Sequence, residues 1–264
     1  MIASEAIEAA TDALGAAGCS TPRLDAELLI ADALGVTREQ LFLDPDMEIP
    51  PPAARVIAER VRRRNEREPV AYILGRKGFR NIELMVDPRV LVPRPESELL
   101  VEAALDLPEG AHVHDVGTGS GAIALALLDE RPDLRVTASE VSQDAVDVAR
   151  ENAARLGLPL EVEMVDGLPP GDYDLVIANL PYVRDDQWDG LMPEINRYEP
   201  RVALTSGADG LDAIRELIEA IPSGTRVVLE HAHDQADEVR ELLDDALSYP
   251  DLSSWDRITV GTAP

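Results

Sequence analysis

The chain has 264 residues, 45% of them hydrophobic, enough for one large domain or two modest ones with a real core and too many for a disordered chain. Its single cysteine, Cys19, excludes an internal disulfide framework and a tetrathiolate zinc site. With 24 Lys and Arg against 51 Asp and Glu, the net charge is -27. That is the wrong sign for a fold-wide grip on nucleic-acid phosphate and the ordinary sign of a well-solvated surface.

No run of about 18 apolar residues occurs, so no membrane span is expected. Met1-Ile2-Ala3-Ser4-Glu5 has neither a basic start nor an apolar block, so no signal peptide and a cytoplasmic location are expected. The four His and one Cys show no ligand spacing, so no metal is expected.

Residues 1–68 read as helices. Ile2, Ala6, Ala9, Ala10, Ala13, Leu14 and Ala17 recur at helical spacing, and Gly18 stops that run. Thr21-Pro22 supplies a cap and a proline at the first helical position. Leu24, Leu28 and Ala31 continue one face. Thr37 to Gln40 has the capping-box spacing before Leu41 and Leu43. Pro50-Pro51-Pro52 interrupts, and a helix from about Ala53 to Arg67 carries Arg55, Arg60, Arg62, Arg63, Arg64 and Arg67. Those arginines are either a solvated face or a local basic patch for a partner or RNA.

Residues 69–95 change character and read as a connector. Gly78-Phe79-Arg80 and Ile82 to Val86 flank Asn81 and pair as a hairpin whose turn must borrow neighbours, because one residue is too tight a loop. Pro88, Pro93 and Pro95 punctuate the rest of the connector.

From residue 96 to 264 strands alternate with helices. Strands are expected at His112–Val116, Leu134–Ser139, Leu160–Val165, Tyr173–Ala178 and Thr225–Leu229, with Arg257–Val260 as a last, edge-type strand. Helices are expected at Ser120–Arg131, Gln143–Leu156, Gly210–Ala220 and Gln235–Leu247. This alternation implies an α/β fold with a parallel, doubly wound sheet and ligands at the carboxyl ends of its strands.

Four motifs carry chemistry. Asp115-Val116-Gly117-Thr118-Gly119-Ser120-Gly121-Ala122 leaves a strand and opens a helix, where glycines let the backbone approach a ligand and the helix start offers free N–H groups. The spacing also satisfies the relaxed dinucleotide fingerprint, so this loop alone does not choose between NAD and S-adenosylmethionine. Glu140 ends the next strand, 19 residues after Gly121, where a carboxylate can accept from both hydroxyls of an unphosphorylated ribose. Asp166-Gly167 ends the third strand, where an Asp could accept from an exocyclic amine.

The fourth motif, Asn179-Leu180-Pro181-Tyr182, directly follows the strand Asp174 to Ala178. A planar nitrogen has a delocalised, weakly nucleophilic lone pair. Methylating it requires two acceptors that hold the NH2 so that the lone pair points at the methyl group. The Asn179 side-chain oxygen is one. The Leu180 carbonyl is the other, because Pro181 restricts the preceding residue to an extended conformation. Tyr182 supplies a flat wall. Acceptors aimed at the NH2 also stabilise the positive charge that grows on nitrogen. In-line placement is the remaining requirement, and no strong base is demanded.

These motifs, in this order, resemble the release-factor glutamine N5-methyltransferases, the HemK/PrmC family, over essentially the whole chain. Pro69-Val70-Ala71-Tyr72-Ile73-Leu74-Gly75 resembles the family's connector signature, and Pro93-Arg94-Pro95-Glu96-Ser97-Glu98 the start of its catalytic domain. Arg197 to Leu204, Gly207 to Leu211, Glu230-His231 and Asp256-Arg257 resemble its later segments. The resemblance implies a Rossmann-like methyltransferase domain (96–264), a hairpin connector (69–95) and a small all-helical domain (1–68) that docks the protein substrate. It implies that Gly117, Thr118, Gly119, Ser120, Gly121, Glu140, Gly167 and the adjacent Asp166 bind S-adenosyl-L-methionine, with Asn179 at the junction. Asn179, Leu180, Pro181 and Tyr182 would hold the glutamine of the Gly-Gly-Gln loop of peptide-chain release factors, the proteins of translation termination. A monomer with no direct nucleic-acid substrate is expected.

Three positions depart from the family pattern. Leu180 stands where Pro is usual, Ala232 replaces a common Gly, and Gly167 sits where some members carry an aromatic residue. Asn-Leu-Pro-Tyr also resembles the tetrapeptide of ribosomal-RNA adenine N6-dimethyltransferases, whose amine the same acceptors would serve. The helical domain, the connector signature and the acidity oppose that alternative.

Overall fold

In the computed structural model, which describes residues 1–264, Met1–Gly75 and Met192–Tyr198 form one compact unit, and Arg76–Leu191 with Glu199–Pro264 form a second.

The first unit is helical because its sequence carries both the period and the punctuation. Helices α1 (Ala3–Ala16), α2 (Pro22–Leu34), α3 (Arg38–Leu43), α4 (Pro51–Asn65) and α5 (Val70–Leu74) follow one another. Pro22 opens α2 as expected. At α3 the capping box forms: the Thr37 hydroxyl oxygen accepts from the Gln40 N–H at 3.3 Å, and the Gln40 side chain accepts from the Thr37 N–H at 2.8 Å. Leu14, Ile30, Leu41 and Ile57 meet in a shared apolar core.

Apart from the exposed Arg55, the arginines of α4 and of the turn after it are not an open basic patch. Arg60 pairs with Asp32 at 2.6 Å, Arg62 with Glu59 and Glu66, and Arg63 with Glu68. Arg64 is buried between Asp25 at 2.7 Å and Glu194 at 2.8 Å, while Arg67 holds the other oxygen of Glu194 at 2.6 Å. This network and the Tyr198 hydroxyl, which donates to the Glu66 carbonyl at 2.8 Å, fix the segment Met192–Tyr198 in the helical unit.

The second unit begins with a hairpin, β1 (Arg76–Phe79) and β2 (Ile82–Met85), whose turn takes both Arg80 and Asn81. Arg80 adopts the left-handed region at φ +49, and its guanidinium is held by Glu130 at 2.6 Å and Glu102 at 2.9 Å. Phe79 and Leu84 are buried. After α6 (Glu98–Glu102) the α/β pattern runs β3 (His112–Val116), α7 (Ala122–Glu130), β4 (Arg135–Glu140), α8 (Gln143–Leu156), β5 (Glu161–Met164) and β6 (Leu175–Ala178). Then come α9 (Pro193–Tyr198, part of the first unit), α10 (Asp212–Ala220), β7 (Arg226–Glu230), α11 (Ala236–Glu241), β8 (Asp244–Pro250) and β9 (Asp256–Thr262).

The sheet order is β5-β4-β3-β6-β7-β9-β8. The first five strands are parallel, and β9 runs antiparallel to both its neighbours, β7 and β8, so the sheet is mixed rather than wholly parallel. The strand order reverses at β3, between β4 and β6, which opens a crevice at the carboxyl ends of these strands. Register sets what meets there. Val116 pairs with both Ser139 and Ala178, and Ala178 pairs with Leu229. The next residues, Gly117, Glu140, Asn179 and Glu230, therefore emerge level with one another.

Two expectations fail at the far edge. The helix expected over Gln235–Leu247 ends at Glu241, and Asp244–Pro250 is instead the edge strand β8. Asp245 takes φ +51 and the β8–β9 register shifts between Asp244 and Leu247, so strand pairing overrides a helix-forming composition. Consequently β9, expected at the edge, is interior, between β7 and β8.

Replacing Arg64 with Ala strands Asp25 in the helical unit without its buried partner. Loss of one member of a buried pair costs about 3–5 kcal/mol. Denaturant unfolding should show a loss of that order; a change under about 1 kcal/mol, the value of an exposed pair, would contradict the buried network.

Candidate functional site

One cavity of about 520 Å³ occupies the crevice of the second unit. Its wall includes Gly117, Thr118, Gly119, Ser120, Glu140, Asp166, Gly167, Asn179, Leu180 and Pro181. Gly121 lies just behind, at the start of α7, with φ +83. A smaller hollow of about 30 Å³ adjoins it, bounded by Leu91, Arg94, Asn179, Leu180, Tyr182, Val183, Ala203 and Leu204. Asn179 and Leu180 line both spaces. Tyr182 lines only the hollow.

The glycine loop is shaped by backbone that side chains would obstruct. Gly117 takes φ +71, and a Cβ there would come 3.0 Å from the Leu180 side chain, so the first and fourth motifs pack directly. The Ser120 carbonyl accepts from Asn152 Nδ2 at 2.9 Å, and the same side chain exchanges bonds with both backbone groups of Met85. Asn152 is fully buried on α8 and ties the loop to the hairpin.

Glu140 is held more tightly than the sequence implied. Its Oε2 accepts from the Gly119 N–H at 3.0 Å and its Oε1 from the Ser142 N–H at 2.9 Å. A carboxylate has about four acceptor positions, so each oxygen keeps one free for a ligand hydroxyl. The Gly167 carbonyl accepts from the Ser139 hydroxyl at 2.8 Å, which fixes the third loop, and the space beside Gly167 is open. Asp166 is exposed at the rim. Behind Ser139 stands His114; burial pushes it down to about 4, so it is a neutral ring at neutral pH.

Asp115, near the carboxyl end of β3, is fully buried. Its Oδ2 accepts from the Thr118 hydroxyl at 2.6 Å, while its Oδ1 has no partner. Burial pushes this carboxyl up to about 7, against the Thr118 hydroxyl and the Ala124 amide, which favour the charged form.

The fourth motif rests on groups that sequence reasoning did not assign. Asn179 Nδ2 donates to Ser97 Oγ at 2.9 Å, and Ser97 Oγ donates to Glu230 Oε2 at 2.7 Å. The Tyr182 hydroxyl donates to Glu230 Oε1 at 3.1 Å, and burial pushes that phenol well above its usual range. Burial likewise raises the Glu230 carboxyl, opposed by the two hydroxyls and the Arg257 guanidinium. The Tyr182 carbonyl accepts from Gln235 Nε2 at 3.0 Å, and a Cβ on Gly210 (φ +81) would sit 2.2 Å from it, so only glycine serves there. Arg94 is held at the hollow by Glu199, at 2.5 Å, and Glu199 also accepts from the Val92 N–H. Ser97, Glu199 and Glu230 were visible in sequence only as members of motif segments; polar residues at strand ends beside proline-rich turns are the signal that could have raised them.

Known proteins give the same picture. Residues 5–75 match the model for the PrmC N-terminal domain, and residues 95–195 that for the Methyltransferase small domain. A release factor glutamine methyltransferase from Caulobacter vibrioides is 39% identical over 270 residues, covering 96% of this chain and 93% of that protein. One of the same name from Burkholderia pseudomallei is 43% identical over 265 residues, covering 91% and 92%. Among solved structures, the catalytic domain of hMettl16, crystallised with the MAT2A 3'UTR hairpin 6, aligns with a TM-score of 0.56 at 14% identity over 69% of this chain and 75% of that one, a likeness of fold. Matched over nearly its full length at this identity, the chain belongs to the release factor glutamine methyltransferase family.

Proposed function

We propose that the chain transfers a methyl group from S-adenosyl-L-methionine to the side-chain amide N5 of the glutamine in the Gly-Gly-Gln loop of peptide-chain release factors. The observation that carries this reading is that Asn179 and Leu180 line both the large cavity and the hollow beside it, as groups between a methyl donor and an amide acceptor must.

The large cavity suits the cofactor. Glu140 retains acceptor positions for ribose hydroxyls. Gly117 to Gly121, Glu140, Asp166 and Gly167 would hold the molecule, with Asn179 at its reactive end. When bound, it supplies an electrophilic methyl group on a sulfonium. Asn179 Oδ1 and the Leu180 carbonyl accept the two N–H groups of the glutamine carboxamide and leave its lone pair aimed toward the cavity. The same oxygens stabilise the positive charge that forms on nitrogen and hold the proton that it later releases to solvent. Pro181 keeps Leu180 extended, so its carbonyl survives the absence of a second proline. Tyr182, pinned by Glu230, walls the hollow.

The helical domain, 1–68, would dock the factor, and the connector, 69–95, would lead into the catalytic domain, 96–264. One glutamine cannot be picked from many by an amide clamp alone. No helix is long and apolar enough to cross a membrane. On this reading the chain acts as a monomer in the cytoplasm, on a protein rather than on nucleic acid.

Offered labelled S-adenosylmethionine, the protein should label a release factor, and not its Gln→Ala loop variant or ribosomal RNA. Label in the RNA would transfer the reading to adenine N6 chemistry. Asn179→Ala should lower kcat by about 10²–10³, the usual cost of one such hydrogen-bonding group, with cofactor affinity kept; a near-normal rate would refute the acceptor role. Glu140→Ala should weaken cofactor binding by about 1.5–3 kcal/mol in calorimetry, the range for hydrogen bonds to a charged group. Unchanged affinity would remove the ribose assignment.

Asp115 gives a pH signature. Its folded value of about 7 lies above the unfolded value of about 3.9. The stability it contributes is therefore complete below about pH 3.9 and is lost as pH rises through 7. Asp115→Asn should gain Tm over the unsubstituted protein progressively from pH 4 to 7; a pH-independent difference would mean the carboxyl is not perturbed.

A further inference from the structure

We infer that Ser97 and Glu230 are positioning residues that set which end of the Asn179 amide faces the substrate. The inference rests on the reading that Asn179 Oδ1 accepts from the glutamine NH2. An asparagine amide has an oxygen and a nitrogen of nearly the same size, and rotating it by half a turn exchanges an acceptor for a donor. With the nitrogen forward, the site would present N–H groups to N–H groups. Something must therefore choose the rotamer.

The choice is made behind the side chain. The Ser97 hydroxyl has one proton, and that proton lies on Glu230 Oε2 at 2.7 Å. What Ser97 offers Asn179 is a lone pair, which only the amide nitrogen can use, at 2.9 Å. Glu230 cannot turn away, because its other oxygen accepts from the Tyr182 hydroxyl at 3.1 Å. Both groups behind the amide are buried, Ser97 at the cavity wall with 4% exposure and Glu230 behind it with 1%. A flipped amide would set its oxygen against the Ser97 lone pairs, and an unmade buried hydrogen bond is costly. The direction of the chain, from Asn179 through Ser97 to Glu230, thus leaves Oδ1 as the free atom.

The fold supplies the alignment. Ala178 and Leu229 are register partners, so Asn179 and Glu230 leave adjacent strands side by side. Ser97 arrives from the Pro93 to Glu98 turn, 133 residues before Glu230, and fills the gap between them. Tyr182 reaches this carboxylate directly and Asn179 through Ser97, so both ends of the tetrapeptide are tied to Glu230.

The test uses Ser97→Ala, Ser97→Thr, Asn179→Ala and the Ser97→Ala/Asn179→Ala pair in the full chain. Ser97→Ala should lower kcat by about 10- to 100-fold, the scale seen when the partner behind a metal ligand is removed, with KM for the release factor and Kd for S-adenosylmethionine within about twofold. Ser97→Thr, which keeps the hydroxyl, should restore most of the rate. In the Asn179→Ala background, Ser97→Ala should cost nothing further, because no amide is left to orient. A Ser97→Ala rate equal to the unsubstituted protein, a loss carried by Kd, or an undiminished effect in the double variant would overturn the proposal. A second readout is independent of activity. The Asn179 side-chain NH2 should exchange slowly with solvent by NMR and lose that protection in Ser97→Ala. Equal exchange in both overturns the orienting chain even if the methylation reading also fails, whereas an inactive unsubstituted protein with a protected NH2 would fail that reading alone.

Discussion

The arrangement depends on the register of four parallel strands. Ser139, Val116, Ala178 and Leu229 are aligned across β4, β3, β6 and β7, so the residues that follow them emerge along one edge of the sheet. A strand slipped by one residue would turn its side chains to the opposite face. Gly117, Glu140, Asn179 and Glu230 are far apart in sequence and close in space only because this alignment holds. The buried, continuous apolar runs of β6 and β7 keep it, since both faces of those strands are covered.

Along that edge the protein places carboxylates in dry surroundings and gives each a different degree of satisfaction. Glu140 accepts two backbone N–H groups, Glu230 accepts two hydroxyls, and one oxygen of Asp115 accepts nothing. A fully satisfied carboxylate is a rigid part. Here the satisfied Glu230 lies behind the amide that must not move. The acidity of the whole chain, by contrast, concerns its surface.

Much of this was legible in the residues. The glycine loop, Glu140 and the Asn-Leu-Pro-Tyr tetrapeptide each lie at the end of a strand, and strand ends are where such folds bind ligands. The capping box at Thr37 and the helix at Gln143–Leu156 are local events, written in local sequence. What could not be read locally was what long-range pairing decides. The helix expected to run to Leu247 stops at Glu241, and Asp244–Pro250 pairs as a strand because β9 lies beside it. The arginines of α4 look like an open basic face until Asp25, Asp32 and Glu194 meet them. Ser97 and Glu230 stood in motif segments without a role, because the bond between them exists only once the sheet has formed.

The central claim, that a flat carboxamide is gripped by two oxygens and presented to the cofactor from one side, is tested most directly by a crystal structure of the protein with S-adenosylhomocysteine and a peptide carrying the Gly-Gly-Gln loop. The glutamine nitrogen is expected about 2.9–3.0 Å from both Asn179 Oδ1 and the Leu180 carbonyl oxygen, ordinary N–H···O distances, with its remaining face toward the cofactor sulfur. A complex in which that nitrogen bonds elsewhere, or in which Asn179 turns Nδ2 toward it, would contradict the account.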